Sequence, residues 1–264
     1  MAIANHFKSW LAEPQRHPLG TWLMSGAPST AEALGHAGFD FLVVDMEHVP
    51  IEMPELAGIL RAIGCTPAQP IVRLAWSDRV LVKRALDAGA HSIMLPFIES
   101  AQEAEAAVAY TRYPPAGVRG VAAIHRGSRF GQVPNYFAEA DQQICTIVQL
   151  ETPQAIEQLG EIAAVPGVDA LFVGPGDLSA AMGHIGDIGH PEVQAMLQRA
   201  ASAAADAGKP VGIVGPTPQM VSRFLDYGYS FAAVGSDIVM MTGRAADWLG
   251  VLRGKAPAAP TSAY

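Results

Sequence analysis

Residues 146–179 read TIVQLETPQAIEQLGEIAAVPGVDALFVGPGDLS and hold two apolar runs, each closed by an acid. Ile147-Val148-Gln149-Leu150 ends at Glu151, and Ala170-Leu171-Phe172-Val173 passes through Gly174-Pro175-Gly176 to Asp177. An amphipathic segment, 154–165, lies between them. The pattern is strand, helix, strand, and it brings both carboxylates to the same end of neighbouring parallel strands. Two carboxylates so placed resist ionisation unless a cation lies between them. A divalent metal ion is the cation this stretch suggests.

The pattern extends in both directions. Apolar runs at 21–25, 41–45, 71–74, 92–96, 146–151, 170–173, 211–214 and 231–234 give eight candidate strands. Most are continuous Val, Ile, Leu and Phe, as strands buried on both faces require. Segments rich in Ala, Leu, Glu and Arg separate them, at 29–38, 53–64, 79–89, 101–111, 154–165, 193–208 and 219–228, and these read as helices. An internal echo (GHAGFDFLVVD, LDAGAHSIMLP, VPGVDALFVGP, LDYGYSFAAVG) repeats helix end, glycine turn and strand. The expected fold is α/β, a (β/α)8 TIM barrel. The rival is an open doubly wound sheet; no GxGxxG follows the first strand, and the even spacing favours closure. One domain over 1–254 is expected, with a loose Ala/Pro tail, KAPAAPTSAY, at 255–264.

The 264 residues are half hydrophobic with a formal net charge of -8, which argues against a nucleic-acid surface. Two cysteines in unrelated contexts, Cys65 and Cys145, give no disulfide framework or Cys-rich zinc site. The N-terminus lacks the pattern of a secretory signal, and no long charge-free apolar run suggests a membrane span. A cytoplasmic protein is the expectation.

In a barrel, catalytic groups gather at the C-terminal ends of the strands. Those ends carry Trp22; Asp45, Glu47 and His48; Arg73; Gln149 and Glu151; Asp177; and the turns around Val214 and Gly235. Gln149 and Glu151, two apart, share one face of their strand. Arg73 shares a face with Ile71 and needs an anion there, either a substrate carboxylate or an internal salt bridge. Glu151 and Asp177 are hard oxygen ligands suited to Mg2+ or Mn2+. The alternative has Asp177 capping a helix that starts at Leu178 and Glu151 pairing with an arginine. Asp45 and His48 suit a base whose imidazole is held by the carboxylate, against a plain loop histidine. His91, at the start of a strand, belongs to the opposite face.

Two excursions, 112–145 and 178–192, break the rhythm, and both are expected to rim the active face. Within the second, His184 and His190 sit among glycines and read as loop residues, not as ligands. The backbone N–H groups of Gly174-Pro175-Gly176-Asp177 suit a small carboxylate. None of the four lysines, Lys8, Lys83, Lys209 and Lys255, falls at a strand C-terminus, so no Schiff-base lysine is expected.

VVDMEH, IVRL, LDAGA, RYPPAGVRG, QLET and GPGDLSAAMGH together resemble the HpcH/HpaI aldolase family, the class II pyruvate aldolases, over about 20–248. Its 2-keto-3-deoxy sugar-acid and hydroxyketoacid aldolases are the nearest in pattern. The resemblance implies retro-aldol cleavage of 4-hydroxy-2-oxo acids to pyruvate, or hydroxypyruvate, and an aldehyde. It implies Glu151 and Asp177 as ligands of a divalent metal chelated by the oxoacid donor, with Gln149 beside it. Backbone around Gly176 and Asp177 would grip the donor carboxylate, and Trp22 and Val214 would complete its pocket. Arg73 would stabilise the enolate oxygen, and His48, held by Asp45, would govern proton transfer. The family also implies a homohexamer, a trimer of dimers, that exchanges a C-terminal helix at about 243–254 and brings a neighbour's acid to the site, here Asp87. Gly176 departs from the Ala or Asn often found there, and would admit a larger donor. Two other readings are a metal-dependent lyase on a CoA-linked hydroxyacid, as in citrate-lyase-beta-like relatives, and a non-catalytic oxoacid-binding barrel.

Overall fold

Eight parallel strands pair in chain order and close into a barrel in the computed structural model, which describes residues 4–254 apart from Pro14. The strands are β1 Leu19–Leu23, β2 Phe41–Asp45, β3 Gln69–Arg73, β4 Ser92–Leu95, β5 Cys145–Leu150, β6 Ala170–Val173, β7 Val211–Gly215 and β8 Phe231–Ser236. The helices are α1 His6–Trp10, α2 Pro28–His36, α3 Met53–Ile63, α4 Arg79–Asp87, α5 Ala101–Thr111, α6 Tyr136–Gln143, α7 Pro153–Glu157, α8 Leu159–Ala164, α9 Pro175–Ala181, α10 Pro191–Asp206, α11 Pro218–Asp226 and α12 Asp237–Leu252. The barrel expected from the sequence is therefore the fold. No helix among the described residues is long and apolar enough to cross a membrane. The tail 255–264 lies outside the described residues.

Alternation along each strand divides the core in two. One set of side chains, among them Leu42, Val44, Val72, Ile93, Val148 and Leu171, packs outward against the helices. The other fills the barrel: Phe41, Val43, Ile71, Met94, Ile147, Phe172 and Phe231. The floor is aromatic. Phe7 of α1 enters from below and meets Phe41 and Phe231 edge-on, each with ring centroids 5.3 Å apart. Gly20 and Gly212 face these rings, and a β-carbon at either would collide with Phe41 or Phe231. With the floor sealed, the open end is left to the polar residues at the strand C-termini.

Two expectations need correction. The segment 154–165 is two short helices, α7 and α8, broken at Gln158 where ψ is 4°. The excursion 112–145 follows α5 and precedes β5, so it lies at the N-terminal end of the barrel and does not rim the strand C-termini. Its arginines are used structurally. Buried Arg119 binds Asp87 at 2.8 Å and lies over Tyr113, 4.4 Å from its centroid, and Arg112 reaches Asp169 just before β6.

Candidate active site

Strand register assembles the cationic part of the site. Asp45 and Arg73 are paired positions on β2 and β3. Arg73 Nε donates to Asp45 Oδ1 at 3.0 Å and Nη2 to Oδ2 at 2.8 Å, a bidentate fork. Its Nη1 lies 2.9 Å from Glu47 Oε2. Burial works against the guanidinium charge, but Asp45, Glu47 and Glu151 outweigh it and hold Arg73 protonated. The Trp22 ring covers Arg73, with the guanidinium carbon 4.7 Å from the centroid. The expected Asp45–His48 pair is thereby corrected: the Asp45 carboxylate grips Arg73 and accepts the backbone N–H of Glu47 and His48, so it fixes the turn and not the imidazole. Glu47 is the member given no role by the sequence; its place two residues after Asp45, on the same side of the chain, was the available signal.

The acidic part comes from β5 and α9. Glu151 is 2% exposed. Gln149 Nε2 donates to its Oε1 at 2.6 Å, and the Phe97 N–H to its Oε2 at 3.1 Å. Phe97 takes a left-handed backbone, φ 52°, a conformation costing of order 1 kcal/mol that aims this N–H at the carboxylate. Gly174 passes so close that a β-carbon would strike Glu151. Burial first, then the charges of Asp177 and Glu47, push the Glu151 carboxyl up to about 8. Burial likewise raises Glu47. Asp177 stands in the first turn of α9 and does not cap it; Gly174 is the cap residue, with no side-chain bond. Among the described residues neither Glu151 nor Asp177 forms an ion pair, so the arginine-paired alternative does not hold.

These groups converge on a cavity of about 350 Å³ lined by Trp22, His48, Arg73, Gln149, Glu151 and Asp177, with Gly176 and Val214 completing the wall. Ile185, Gly186 and Ile188 close its far side. A second cavity of about 280 Å³ shares Trp22, His48 and Arg73 and continues past Asp45 to Ser236 and Val239. Helical bonding in α9 begins at the Leu178 N–H, which donates to the Gly174 carbonyl at 3.1 Å; the Gly176 and Asp177 N–H groups precede it in the first turn. Asp45, Glu47 and Glu151 thus bear on one guanidinium, and half-buried Asp177 adds a fourth carboxylate beside Glu151. Gln149 Oε1 is buried and without a partner. An excess of buried negative charge, with a spare acceptor beside it, is what a divalent cation would neutralise.

Asp87, two of the lysines and His91 lie at the opposite end of the barrel. Asp87 ends α4 at the opposite end of the barrel, paired with Arg119 and 3.8 Å from His125 Nε2. Lys8 and Lys209 bind backbone carbonyls there, of Ile144 and Val168. Among the described residues no lysine lines the cavity. Lys255 lies outside them. His91, next to β4 at the same end, is half-buried with its Nε2 enclosed, and its pKa is held down to about 4, chiefly by desolvation.

The family model described as HpcH/HpaI aldolase/citrate lyase matches residues 19–242. The 2-dehydro-3,6-dideoxy-6-sulfogluconate aldolase of Pseudomonas putida is 56% identical over 251 residues, covering 95% of this chain and 98% of that one. The 5-keto-4-deoxy-D-glucarate aldolase of Salmonella arizonae is 45% identical over 234 residues, 89% of this chain and 91% of that one. A solved HpcH/HpaI aldolase/citrate lyase family protein from Burkholderia cenocepacia superposes with a TM-score of 0.92 at 40% identity, covering 95% and 100% of the two chains. With the barrel, the acidic strand ends and these likenesses in agreement, the chain belongs to the HpcH/HpaI aldolase/citrate lyase family.

Proposed function

We propose that this carbon–carbon lyase cleaves a 4-hydroxy-2-oxo acid reversibly into pyruvate and an aldehyde, using the cavity above β5 and β6. The observation that carries the reading is the pair of buried Glu151 and half-buried Asp177, which line one cavity with no ion-pair partner among the described residues. They fit a divalent ion held by two carboxylates, with Gln149 beside it. Bound there, Mg2+ or Mn2+ supplies the positive charge that stabilises an enolate oxygen.

The other roles follow from the residues. The Gly176 and Asp177 N–H groups, at a helix N-terminus, receive the carboxylate of the oxoacid. Asp45 and Glu47 fix the Arg73 fork so that the guanidinium faces the carbonyl oxygen on which charge develops. His48 accepts the proton of the C4 hydroxyl, directly or through one water. The C3–C4 bond breaks, its electron pair stays on C3, the aldehyde leaves, and C3 is then protonated to give pyruvate. The two relatives above are named for keto-deoxy sugar acids with an acidic group at each end, and we extend that class to this chain.

Exposed Met241, Trp248, Val251 and Leu252 on α12 support a subunit contact. We propose a homohexamer, a trimer of dimers exchanging this helix, in which Asp87 approaches a neighbour's site; light scattering giving a monomer would refute it. Cys65 and Cys145 are both free, as suits a reducing, cytoplasmic location.

The test of the chemistry is exchange of the methyl protons of pyruvate for deuterium. We expect exchange with Mg2+ or Mn2+, and none after EDTA. Borohydride with pyruvate should leave activity intact. Binding of pyruvate without exchange would make the barrel a receptor and not a lyase, and borohydride inactivation would indicate a Schiff base.

A further inference from the structure

The loop between α9 and α10 carries chemistry that the cavity does not use. Gly183 and Gly186, at φ 83° and 80°, turn the chain so that His184 and His190 meet. Their rings stack 3.5 Å apart at 16°. A face-to-face sandwich is the arrangement aromatic rings ordinarily avoid. His184 Nε2 lies 3.0 Å from Glu192 Oε2, and one ligating atom from each of the three residues falls within 4.8 Å of the others. The backbone is already fixed: the His184 N–H donates to the Ser179 carbonyl at 2.8 Å, and the His190 N–H to the Asp187 carbonyl at 3.1 Å. Gln194 Nε2 donates to the Ile188 carbonyl at 2.7 Å and ties the loop to α10.

We propose that His184, His190 and Glu192 form a second metal site, separate from Glu151 and Asp177, that takes a borderline divalent ion such as Zn2+ or Co2+. Two imidazoles and one carboxylate with outward positions left for water are a ligand set of that kind. Tetrahedral ligands about 2.0–2.2 Å from zinc lie some 3.3 Å apart, and because each imidazole lone pair lies in its ring plane the stacked rings would have to swing open toward the ion to close the site. The ion would replace the proton between His184 and Glu192. It would also take the His190 Nδ1 lone pair that now accepts the Glu192 N–H at a long 3.3 Å. Because Ile185, Gly186 and Ile188 wall the cavity, an ion here would fix its far side without touching the reacting atoms.

The experiment separates the two sites. The full-length double variant Glu151→Gln/Asp177→Asn is titrated with Co2+ and followed by visible absorption and metal content. We expect one Co2+ per chain. Adding His184→Asn or Glu192→Gln should weaken it at least about tenfold. His190→Asn keeps an acceptor for the helix cap and should do the same. In the otherwise unaltered protein, Zn2+ should slow amide exchange at 185–189, and His184→Asn should abolish that protection. No Co2+ bound by the double variant, binding indifferent to all three loop substitutions, or no Zn2+-dependent protection would each overturn the proposal. None of these readings depends on aldolase activity.

Discussion

Removing the metal should make this barrel less stable as the pH rises, and Glu151 sets the size of the effect. Its carboxyl has an ordinary value of 4.5 and stands at about 8 in the fold. The fold therefore holds the proton more tightly than the unfolded chain does. That contribution is complete below about pH 4.5 and is lost as the pH climbs through about 8. For these two values the folded state loses about 2.5 kcal/mol between pH 6 and pH 8.5. The same proton competes with the metal. Below about pH 8 the apparent affinity at Glu151 and Asp177 should fall roughly tenfold per pH unit.

The assay is urea unfolding of EDTA-treated protein at the two pH values, repeated for Glu151→Gln. Other groups titrate in this window, so the difference between the two proteins isolates Glu151. Glutamine keeps the shape and can still accept from Gln149 or Phe97. We expect the unaltered protein to lose about 2–3 kcal/mol more than the variant over this range. Saturating Mn2+ at the higher pH should recover it. Equal pH dependence in the two proteins would show that Glu151 is ionised in the metal-free fold, and the argument from its burial would be wrong.

Three further outcomes follow from the geometry. Glu151→Ala or Asp177→Ala should lower kcat/KM about a thousandfold or more, whereas His48→Ala should lower it about a hundredfold; a larger loss at His48, measured by coupled pyruvate release, would move the principal charge stabilisation away from the carboxylates. Gly176→Ala adds a methyl group to the cavity wall and should shift the ratio of hydroxypyruvate to pyruvate addition about tenfold toward pyruvate; an unchanged ratio would remove Gly176 from donor selection. Phe7→Ala should destabilise the fold by about 3–5 kcal/mol while leaving kcat/KM of the folded enzyme unchanged, since the ring plugs the end of the barrel away from the site.

The eight strands were legible because a strand buried on both faces is a continuous apolar run, and their order follows once the helices alternate with them. The excursion 112–145 was legible and misread: a segment entered from helix α5 and left through strand β5 must lie at the N-terminal end of the barrel. The Asp45–Arg73 fork was harder. It depends on β2–β3 register, a pairing between residues 28 apart that no local pattern carries. The His184–His190 stack depends on two left-handed glycines, and the spacing of six alone does not show it. The break between α7 and α8 had a weak signal in Gly160, which lowers helix propensity without forcing an end.

The barrel sets the site against its own stability. The aromatic floor excludes water from below, and Trp22 covers Arg73 from the side, so charges at the strand ends are poorly solvated. Arg73 meets Asp45 with two N–H groups and Glu47 with one, and its single positive charge is then shared between these two carboxylates. Glu151 and Asp177 remain, and hydrogen bonds from Gln149 and Phe97 offset only part of the burial of one of them. An apolar replacement at Glu151 would be the more stable sequence by the reasoning that applies to buried ion pairs. The strained Phe97 backbone and the close-passing Gly174 instead hold that carboxylate in place, so the metal-free fold carries the cost of a site ready to receive a dication.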